Sequence, residues 1–167
     1  MSRIQLALRV GDLEQSIAFY TALFGTEPAK RRPGYANFAI TEPPLKLVLL
    51  EGENDQQTVM DHLGVEVAST EAVDDATERF KNSGLATFEE ADSDCCYAVQ
   101  DKVWVHGPGK EPWEVYVVKA DGTQLDKTAP PAVPGAADTS EDASTSKATS
   151  KTTAGQRDAC CDCCASA

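Results

Sequence analysis

The feature that most constrains this chain is an internal repeat. A strand-like run, a helical run and three further strand-like runs occur in that order over residues 4–51, and the same order returns over residues 62–118. Alternating apolar residues and β-branched content predict the strands, whereas an apolar period near 3.6 residues predicts the helices. Two copies of one strand–helix–strand–strand–strand unit predict an α+β domain built from two βαβββ modules.

Both predicted helices have recognisable ends. In the first, Asp12 is placed to cap the N-terminus and Gly25 to end the helix. In the second, Ser69 or Thr70 is the predicted cap and Gly84 the predicted end. Each helix should pack one apolar face on the sheet. The predicted apolar positions are Leu13, Ile17, Tyr20, Leu23 and Phe24 in the first helix and Val73, Ala76, Phe80 and Leu85 in the second.

The composition of the chain changes after Lys119. The segment that follows contains no Phe, Tyr, Trp or Ile and consists mostly of Ala, Ser, Thr, Asp and Pro. Such a segment cannot bury enough apolar surface to offset its loss of chain entropy. We therefore predict one folded domain over residues 1–120, with modules at about 1–52 and 59–119, and a disordered tail over residues 121–167.

The net charge limits the partners of the chain. The formal charge of −12 at pH 7 argues against nucleic acid, whose binding requires a basic surface, and against anionic membranes. The N-terminal run breaks at Gly11 and does not resemble a signal peptide, and no apolar stretch is long enough to span a bilayer. We therefore interpret the charge as favouring solubility and predict a cytoplasmic protein, in which cysteines are thiols or ligands rather than disulfides. The sequence leaves the oligomeric state open.

The repeat of two βαβββ modules resembles the vicinal oxygen chelate superfamily, which includes glyoxalases, bleomycin resistance proteins and extradiol dioxygenases. The resemblance covers residues 1 to about 119. It implies that the paired modules hold one divalent metal in a cleft, with ligands from the first and last strands of each module. Aligning the two copies places Gln5 opposite His62 and Lys46 opposite Glu114.

Three of these four positions carry side chains that can bind a metal. His62 and Glu114 are the nitrogen and oxygen donors typical of a non-haem Fe(II) site with open positions. Gln5 departs from the two-histidine pattern common in the family, and its carboxamide oxygen is a weaker, neutral donor. The alternative for His62 alone is a structural histidine at a strand end. Its matching place in the repeat and Glu114 on an otherwise apolar strand favour metal binding.

Lys46 argues against the activity of glyoxalase I. That enzyme has this fold but places a carboxylate at the fourth position as a general base, which lysine cannot replace unless its pKa is greatly lowered. We interpret Lys46 as a strand residue whose charged end reaches solvent.

Cys95 and Cys96 stand side by side after an acidic segment. Neighbours on a strand face opposite sides of a sheet, and buried cysteine often serves as a small apolar residue, which is the structural alternative. Adjacent thiols also suit a soft, thiophilic species such as trivalent arsenic, Cd(II) or Hg(II). We predict that the pair lies at the base of a loop inserted in module 2. We also predict that residues 88–97 are mobile when the site is empty and become ordered when arsenic binds both thiols.

Several segments resemble more closely the carbon–arsenic lyase branch of this superfamily, which includes bacterial cadmium-inducible proteins. They are RPGYANFAITEPPLKLVLLE, DHLGVEV, the CC pair followed by QDKVWVHGPG, and WEVY. The resemblance implies an Fe(II)-dependent, O2-consuming enzyme that demethylates methylarsenite and removes arsenic from trivalent aromatic arsenicals. It assigns Gln5, His62 and Glu114 as metal ligands and Cys95 and Cys96 as ligands of trivalent arsenic.

The end of the chain carries four further thiols within CCDCC. They are Cys160, Cys161, Cys163 and Cys164. They could capture arsenite or Cd(II) at a high effective concentration, and the alternative is a tail without a role. The alternative function for the whole chain is an inducible thiol protein that sequesters cadmium or arsenic without turnover. The set of Gln5, His62 and Glu114 favours the enzyme, because sequestration of soft ions needs no hard-ligand site.

Overall fold

The computed structural model describes residues 2–125 and residue 131 of the chain. Within that part, the elements occur in the order β1 (Arg3–Val10), α1 (Leu13–Phe24), β2 (Lys30–Arg32), β3 (Tyr35–Ile40), β4 (Leu45–Glu51), β5 (Val59–Glu66), α2 (Thr70–Asn82), β6 (Phe88–Cys95), β7 (Ala98–His106) and β8 (Pro112–Asp121). This order confirms the predicted α+β class with two βαβββ modules. The predicted accessory thiols Cys160, Cys161, Cys163 and Cys164 lie outside the described residues, as does almost all of the predicted tail.

The strands form one sheet in the order β2-β3-β4-β1-β5-β8-β7-β6. Each module contributes four consecutive strands, and the first strands, β1 and β5, pair antiparallel at the boundary between the modules. Within each module the first and last strands pair in parallel, β1 with β4 and β5 with β8. The four strands predicted to carry the cleft residues are therefore the four central strands of the sheet.

The helices cover one face of the sheet. Asp12 caps α1 by accepting a hydrogen bond from the backbone amide of Gln15, and Gly25 ends the helix in the left-handed conformation. Ser69 caps α2, which ends at Asn82, so Leu85 lies beyond the helix rather than on its apolar face. The buried residues that join α1 to its module are Val10, Leu13, Ile17, Ala36, Phe38, Ile40, Leu47 and Leu49, and those that join α2 to its module are Val73, Ala76, Val103, Val115 and Val117.

The segment predicted as an inserted loop is a strand. Residues 88–95 form β6, the edge strand of module 2, which pairs antiparallel with β7 and has a register shift between Glu90 and Ser93. Its side chains are exposed or half-buried, so its acidic composition reflects an edge that faces solvent. Charged side chains on an edge strand also discourage pairing with other chains.

No helix in the described ranges is long and apolar enough to cross a bilayer.

Candidate active site

A cavity of about 650 Å³ lies against the face of the sheet opposite to the helices, which we call the inner face. All five residues predicted for the folded site line this cavity. They are Gln5, His62, Cys95, Cys96 and Glu114. Apolar and aromatic side chains form much of the remaining wall, among them Ala29, Tyr35, Ala39, Val48, Leu50, Phe88, Trp104 and Val118. A space of this size suits a small organic molecule.

Gln5, His62 and Glu114 converge at the centre of the inner face. The Nε2 atom of Gln5 lies 3.0 Å from His62 Nε2 and donates a 2.7 Å hydrogen bond to Glu114 Oε1. His62 Nε2 lies 3.3 Å from the same carboxylate oxygen. All three side chains are buried. We refer to these three residues as the nitrogen–oxygen set.

Gly64 permits this convergence. It lies on β5 between Gln5 and Glu114, which are its partners on the two neighbouring strands. A Cβ atom at this position would lie 3.2 Å from both Gln5 Cβ and Glu114 Cγ. Any larger residue would therefore push the two candidate ligands apart. The glycine within the strand pattern HLGVEV is the sequence signal for such a close approach.

Asp61 orients His62. The register of β5 against β1 shifts at this point, because Ala7 pairs with His62 while Leu8 pairs with Met60. Asp61 is the extra residue of this bulge, and its Oδ1 atom lies 2.7 Å from His62 Nδ1. A carboxylate behind one ring nitrogen that directs the other toward a metal is a recurring arrangement. Sequence reasoning missed Asp61, because strand neighbours ordinarily face opposite sides and a bulge has no clear sequence pattern here.

The charges around His62 and Glu114 stabilise each other. Burial lowers the pKa of His62, but hydrogen bonds to Asp61 and Glu114 outweigh it and raise that pKa to about 9. Burial raises the pKa of Glu114, but Lys102 and His62 outweigh it and hold that pKa at about 2. At neutral pH Glu114 is therefore ionised and His62 carries a proton, which a metal bound at the His62 ring would displace.

The donor set fits a divalent metal. Glu114 Oε2 is buried, lies 3.4 Å from Lys102 Nζ, and makes no hydrogen bond of acceptable geometry to any described residue. A buried carboxylate oxygen in that condition has capacity for a further ligand. An imidazole nitrogen, a carboxylate and a carboxamide on one side of an open cavity match the donor types of a metal site with open positions.

Behind Gln5 lies a buried hydrogen-bond network that sequence reasoning did not anticipate. The hydroxyl of Tyr116 lies 2.6 Å from Gln5 Oε1, and Lys46 Nζ donates a 3.0 Å hydrogen bond to that hydroxyl. Lys46 also lies 3.2 Å from Glu66 Oε2. The interpretation that Lys46 extends to solvent is wrong, because the residue pairs with Gln5 in the middle of the sheet and is only 8% exposed. Burial lowers the pKa of Lys46, and Glu66 partly offsets that effect.

Cys95 and Cys96 meet at a tight turn between β6 and β7. Cys95 pairs with Ala98, and the two residues between them, Cys96 and Tyr97, have φ angles of 56° and 58°. Positive φ at both central residues is the geometry of a type I′ turn, which costs roughly 1–2 kcal/mol for each non-glycine residue. This conformation places the two Sγ atoms 3.2 Å apart. The two sulfurs do not face opposite sides of the sheet, because Cys96 belongs to the turn rather than to the strand.

Tyr97 anchors this turn to module 1. Its ring packs edge-to-face on Tyr35 with 5.6 Å between centroids, and its hydroxyl donates a 3.1 Å hydrogen bond to the carbonyl of Pro33. Lys30 Nζ donates to the carbonyl oxygen of Tyr97, and the backbone amide of Tyr97 donates to the carbonyl of Gln124. These contacts hold the thiol pair over the cavity although the pair belongs to an edge hairpin.

Lys102 lies beside Glu114 and lines the same cavity as the thiols. Its ammonium group is buried 5.5 Å from the ring centroid of Trp104. Burial lowers the pKa of Lys102, but Glu114 and Cys95 outweigh it and raise that pKa. A hydrogen bond with Cys95 and burial both raise the pKa of the Cys96 thiol. A lysine within the apolar strand sequence AVQDKVWVH was a signal of a buried role that sequence reasoning did not use.

The family model of the Glyoxalase/Bleomycin resistance protein/Dioxygenase superfamily matches residues 3–117. The chain is 69% identical over 127 residues to a trivalent organoarsenical cleaving enzyme of Thermomonospora curvata, covering 76% of this chain and 84% of that one. It is 60% identical over 121 residues to a cadmium-induced protein of Mycobacterium tuberculosis, covering 72% and 79%.

Among solved structures, the fold is similar to homoprotocatechuate 2,3-dioxygenase of Brevibacterium fuscum. The TM-score is 0.53 at 22% identity, and the match covers 74% of this chain and 38% of the dioxygenase. At that identity the likeness shows the fold alone.

Proposed function

Because this chain belongs to the glyoxalase/bleomycin resistance/dioxygenase superfamily, we propose that it is an enzyme that cleaves the carbon–arsenic bond of trivalent organoarsenicals. Its substrates are methylarsenite and trivalent aromatic arsenicals, its product is inorganic arsenite, and its role is resistance to organoarsenicals. The observation that carries the proposal is that two chemically different ligand sets line one cavity. The Thermomonospora curvata relative, a trivalent organoarsenical cleaving enzyme, supports it.

Cys95 and Cys96 would bind the arsenic. Each thiol condenses with one As–OH group, so that two As–S bonds form, two As–O bonds break and two water molecules leave. This exchange consumes the thiol protons in the departing water and requires no prior ionisation, so the raised pKa of Cys96 is compatible with it. The 3.2 Å separation of the sulfur atoms allows one arsenic atom to contact both.

Gln5, His62 and Glu114 would hold Fe(II). Nitrogen and oxygen donors suit this harder redox metal, whereas thiolates suit the metalloid, so the two ions do not compete for one set. When bound, Fe(II) would supply the redox chemistry with O2 by which the carbon fragment is oxidised and the carbon–arsenic bond breaks. Asp61 orients His62 for this role, and Lys102 balances the charge of Glu114.

The apolar wall of the cavity would hold the organic group of the substrate. Tyr35, Val48 and Leu50 form a buried cluster against which Cys96 packs, so the group on a thiol-bound arsenic is surrounded by apolar surface. This enclosure limits water around the reacting bond and holds it in the same cavity as the nitrogen–oxygen set.

An assay of arsenite release tests the proposal. The protein carries serine at its four C-terminal cysteines, is loaded with Fe(II) without oxygen, and receives methylarsenite or trivalent phenylarsenite. Addition of O2 should release inorganic arsenite, whereas the anaerobic sample, His62→Ala and Cys95→Ser should release none. Arsenite release that needs no O2, or that persists in His62→Ala, would overturn the proposed chemistry.

The second candidate is a thiol protein that sequesters cadmium or arsenic without turnover. The 60% identity to a cadmium-induced protein of Mycobacterium tuberculosis favours it. In that case the arsenical would bind stoichiometrically and leave unchanged on treatment with a competing dithiol, with or without O2. The buried nitrogen–oxygen set favours the enzyme, because soft ions have no need of such a site.

A further inference from the structure

The amide of Gln5 faces the proposed metal site with its nitrogen. Its inner end is the NH2 group, Nε2, which donates a 2.7 Å hydrogen bond to Glu114 Oε1. Its outer end, Oε1, lies 2.6 Å from the hydroxyl of Tyr116. An amide nitrogen has no lone pair to give a metal, so ligation by Gln5 requires the amide to reverse and present its oxygen.

Reversal places an NH2 group against the surroundings of Tyr116. Lys46 Nζ can only donate hydrogen bonds, so it cannot satisfy that NH2 group. The hydroxyl of Tyr116 lies within reach of two acceptors, Gln5 Oε1 at 2.6 Å and Glu66 Oε2 at 2.9 Å, but has one hydrogen to give. When that hydrogen turns to Glu66, the hydroxyl oxygen is released to accept from Gln5.

We propose that Tyr116 is a positioning residue whose hydroxyl rotates from Gln5 to Glu66, which allows the Gln5 amide to reverse and ligate a divalent metal through oxygen. The inference rests on the proposed metal site. In the structure Tyr116 donates to Gln5, and Gln5 donates to Glu114. With metal bound, Gln5 donates to Tyr116, Tyr116 donates to Glu66, and Lys46 donates to Tyr116 in both states.

The hydroxyl is essential to this exchange because it both donates and accepts. In Tyr116→Phe no hydroxyl remains to accept from a reversed amide, so the NH2 group keeps its acceptor only at the inner end, where Glu114 Oε1 lies 2.7 Å away. The variant should therefore bind metal more weakly although it keeps every proposed ligand.

Binding of Mn(II), followed by the electron paramagnetic resonance signal of the free ion, tests the inference without thiol ligation or oxygen chemistry. Mn(II) prefers oxygen and nitrogen donors, so it reports on the nitrogen–oxygen set. Tyr116→Phe should weaken Mn(II) binding about tenfold, the effect expected for an outer residue that orients a ligand. Tyr20→Phe is the matched control, because it removes a tyrosine hydroxyl on the helix-covered face of the sheet, away from Gln5.

The Gln5→Glu variant separates loss of the amide reversal from general damage to the metal site. A carboxylate has oxygen at both ends and needs no reversal, so Tyr116→Phe should change Mn(II) affinity in the Gln5→Glu protein by less than about twofold. Equal weakening in both backgrounds, or unchanged affinity in the Gln5 protein, would overturn the inference. If His62→Ala also binds Mn(II) as well as the unmodified protein does, the proposed metal site fails with it.

A measurement on the unmodified protein does not depend on any variant. Nuclear Overhauser contacts of the Gln5 NH2 protons should connect to His62 without metal and to the ring of Tyr116 when Mg(II) saturates the site. Contacts to His62 that persist at saturation would contradict the reversal.

Discussion

The nitrogen–oxygen set and the thiol pair share one cavity but are built in opposite ways. Strands at the centre of the sheet carry the first set. Their register and the close approach at Gly64 bring Gln5 next to His62 and Glu114, which lie 57 and 109 positions further along the chain. The second is carried by adjacent residues on an edge hairpin, where two positive φ angles turn both sulfurs to one side. The centre of the sheet would provide fixed geometry for the proposed metal, whereas the hairpin would provide a strained local site for the proposed arsenic.

Because the two sets are built differently, ligand binding by one set should depend little on the other. The nitrogen–oxygen set is held by burial and by polar contacts from Asp61, Tyr116 and Lys102. The thiol turn is held by contacts of Tyr97 with module 1. Because the contacts that hold the two sets are largely separate, a change in one should leave ligand binding by the other largely intact.

The largest effect is expected from His62→Ala. It removes the imidazole donor, so Mn(II) binding should weaken by more than the roughly 10–100-fold that a change in an outer residue costs. Binding of trivalent phenylarsenite, followed by tryptophan fluorescence, should be retained. Loss of arsenical binding in this variant would show that the two sets are not separate.

Cys96→Ser should produce the opposite pattern. One As–S bond is lost, so phenylarsenite should no longer be retained when the protein with serine at its C-terminal cysteines is passed through a desalting column. Its affinity for Mn(II) should stay within about twofold of the unmodified value, because the contacts that hold the thiol turn and the nitrogen–oxygen set are largely separate. A tenfold drop in Mn(II) affinity would argue that the thiols belong to the metal site.

Gly64→Ala should damage the nitrogen–oxygen set without removing a ligand. The added methyl group meets Gln5 and Glu114 at 3.2 Å, so we expect Mn(II) affinity to fall about tenfold and the free energy of unfolding to fall by about 1–3 kcal/mol. Gly84→Ala is the matched control. Gly84 has a φ of 74° and nothing within 4 Å of an added Cβ, so that variant should lose stability but keep its affinity for Mn(II).

The smallest effect is expected from removal of residues 132–167. The proposed ligands of the metal and of the arsenic all lie within the described part of the chain, and Pro131 is its last residue at the cavity. The rate of arsenite release should change by less than about twofold, because no proposed ligand is lost. Loss of turnover on truncation would assign the substrate thiols to the CCDCC segment.

The repeat predicted much of the fold, and the resemblance that it supports indicated which side chains meet in the cleft. The family resemblance, applied to the aligned copies, implied that Gln5, His62 and Glu114 come together, and the register of the central strands brings them within hydrogen-bond distance. Their role as metal ligands remains a prediction. Helix ends at Asp12 and Gly25 were predictable because capping depends on local residue types.

Other features of the site depend on backbone and packing geometry that leaves no pattern in the sequence. The bulge that turns Asp61 toward His62 and the left-handed turn at Cys96 arise from backbone conformations that ordinary residues rarely adopt. The burial of Lys46 depends on its partners Tyr116 and Glu66, which come from the other module. Residues 88–95 looked like a loop because an acidic edge strand and a loop have similar compositions.

The central claim is that an arsenical held by Cys95 and Cys96 lies beside the metal held by Gln5, His62 and Glu114. Electron–nuclear double resonance on the Mn(II)-loaded protein, with ring-deuterated trivalent phenylarsenite bound and the C-terminal cysteines replaced by serine, tests this most directly. We expect deuterium coupling to Mn(II) that disappears in the Cys95→Ser, Cys96→Ser protein. Full occupancy by both Mn(II) and the arsenical without any deuterium coupling would contradict it.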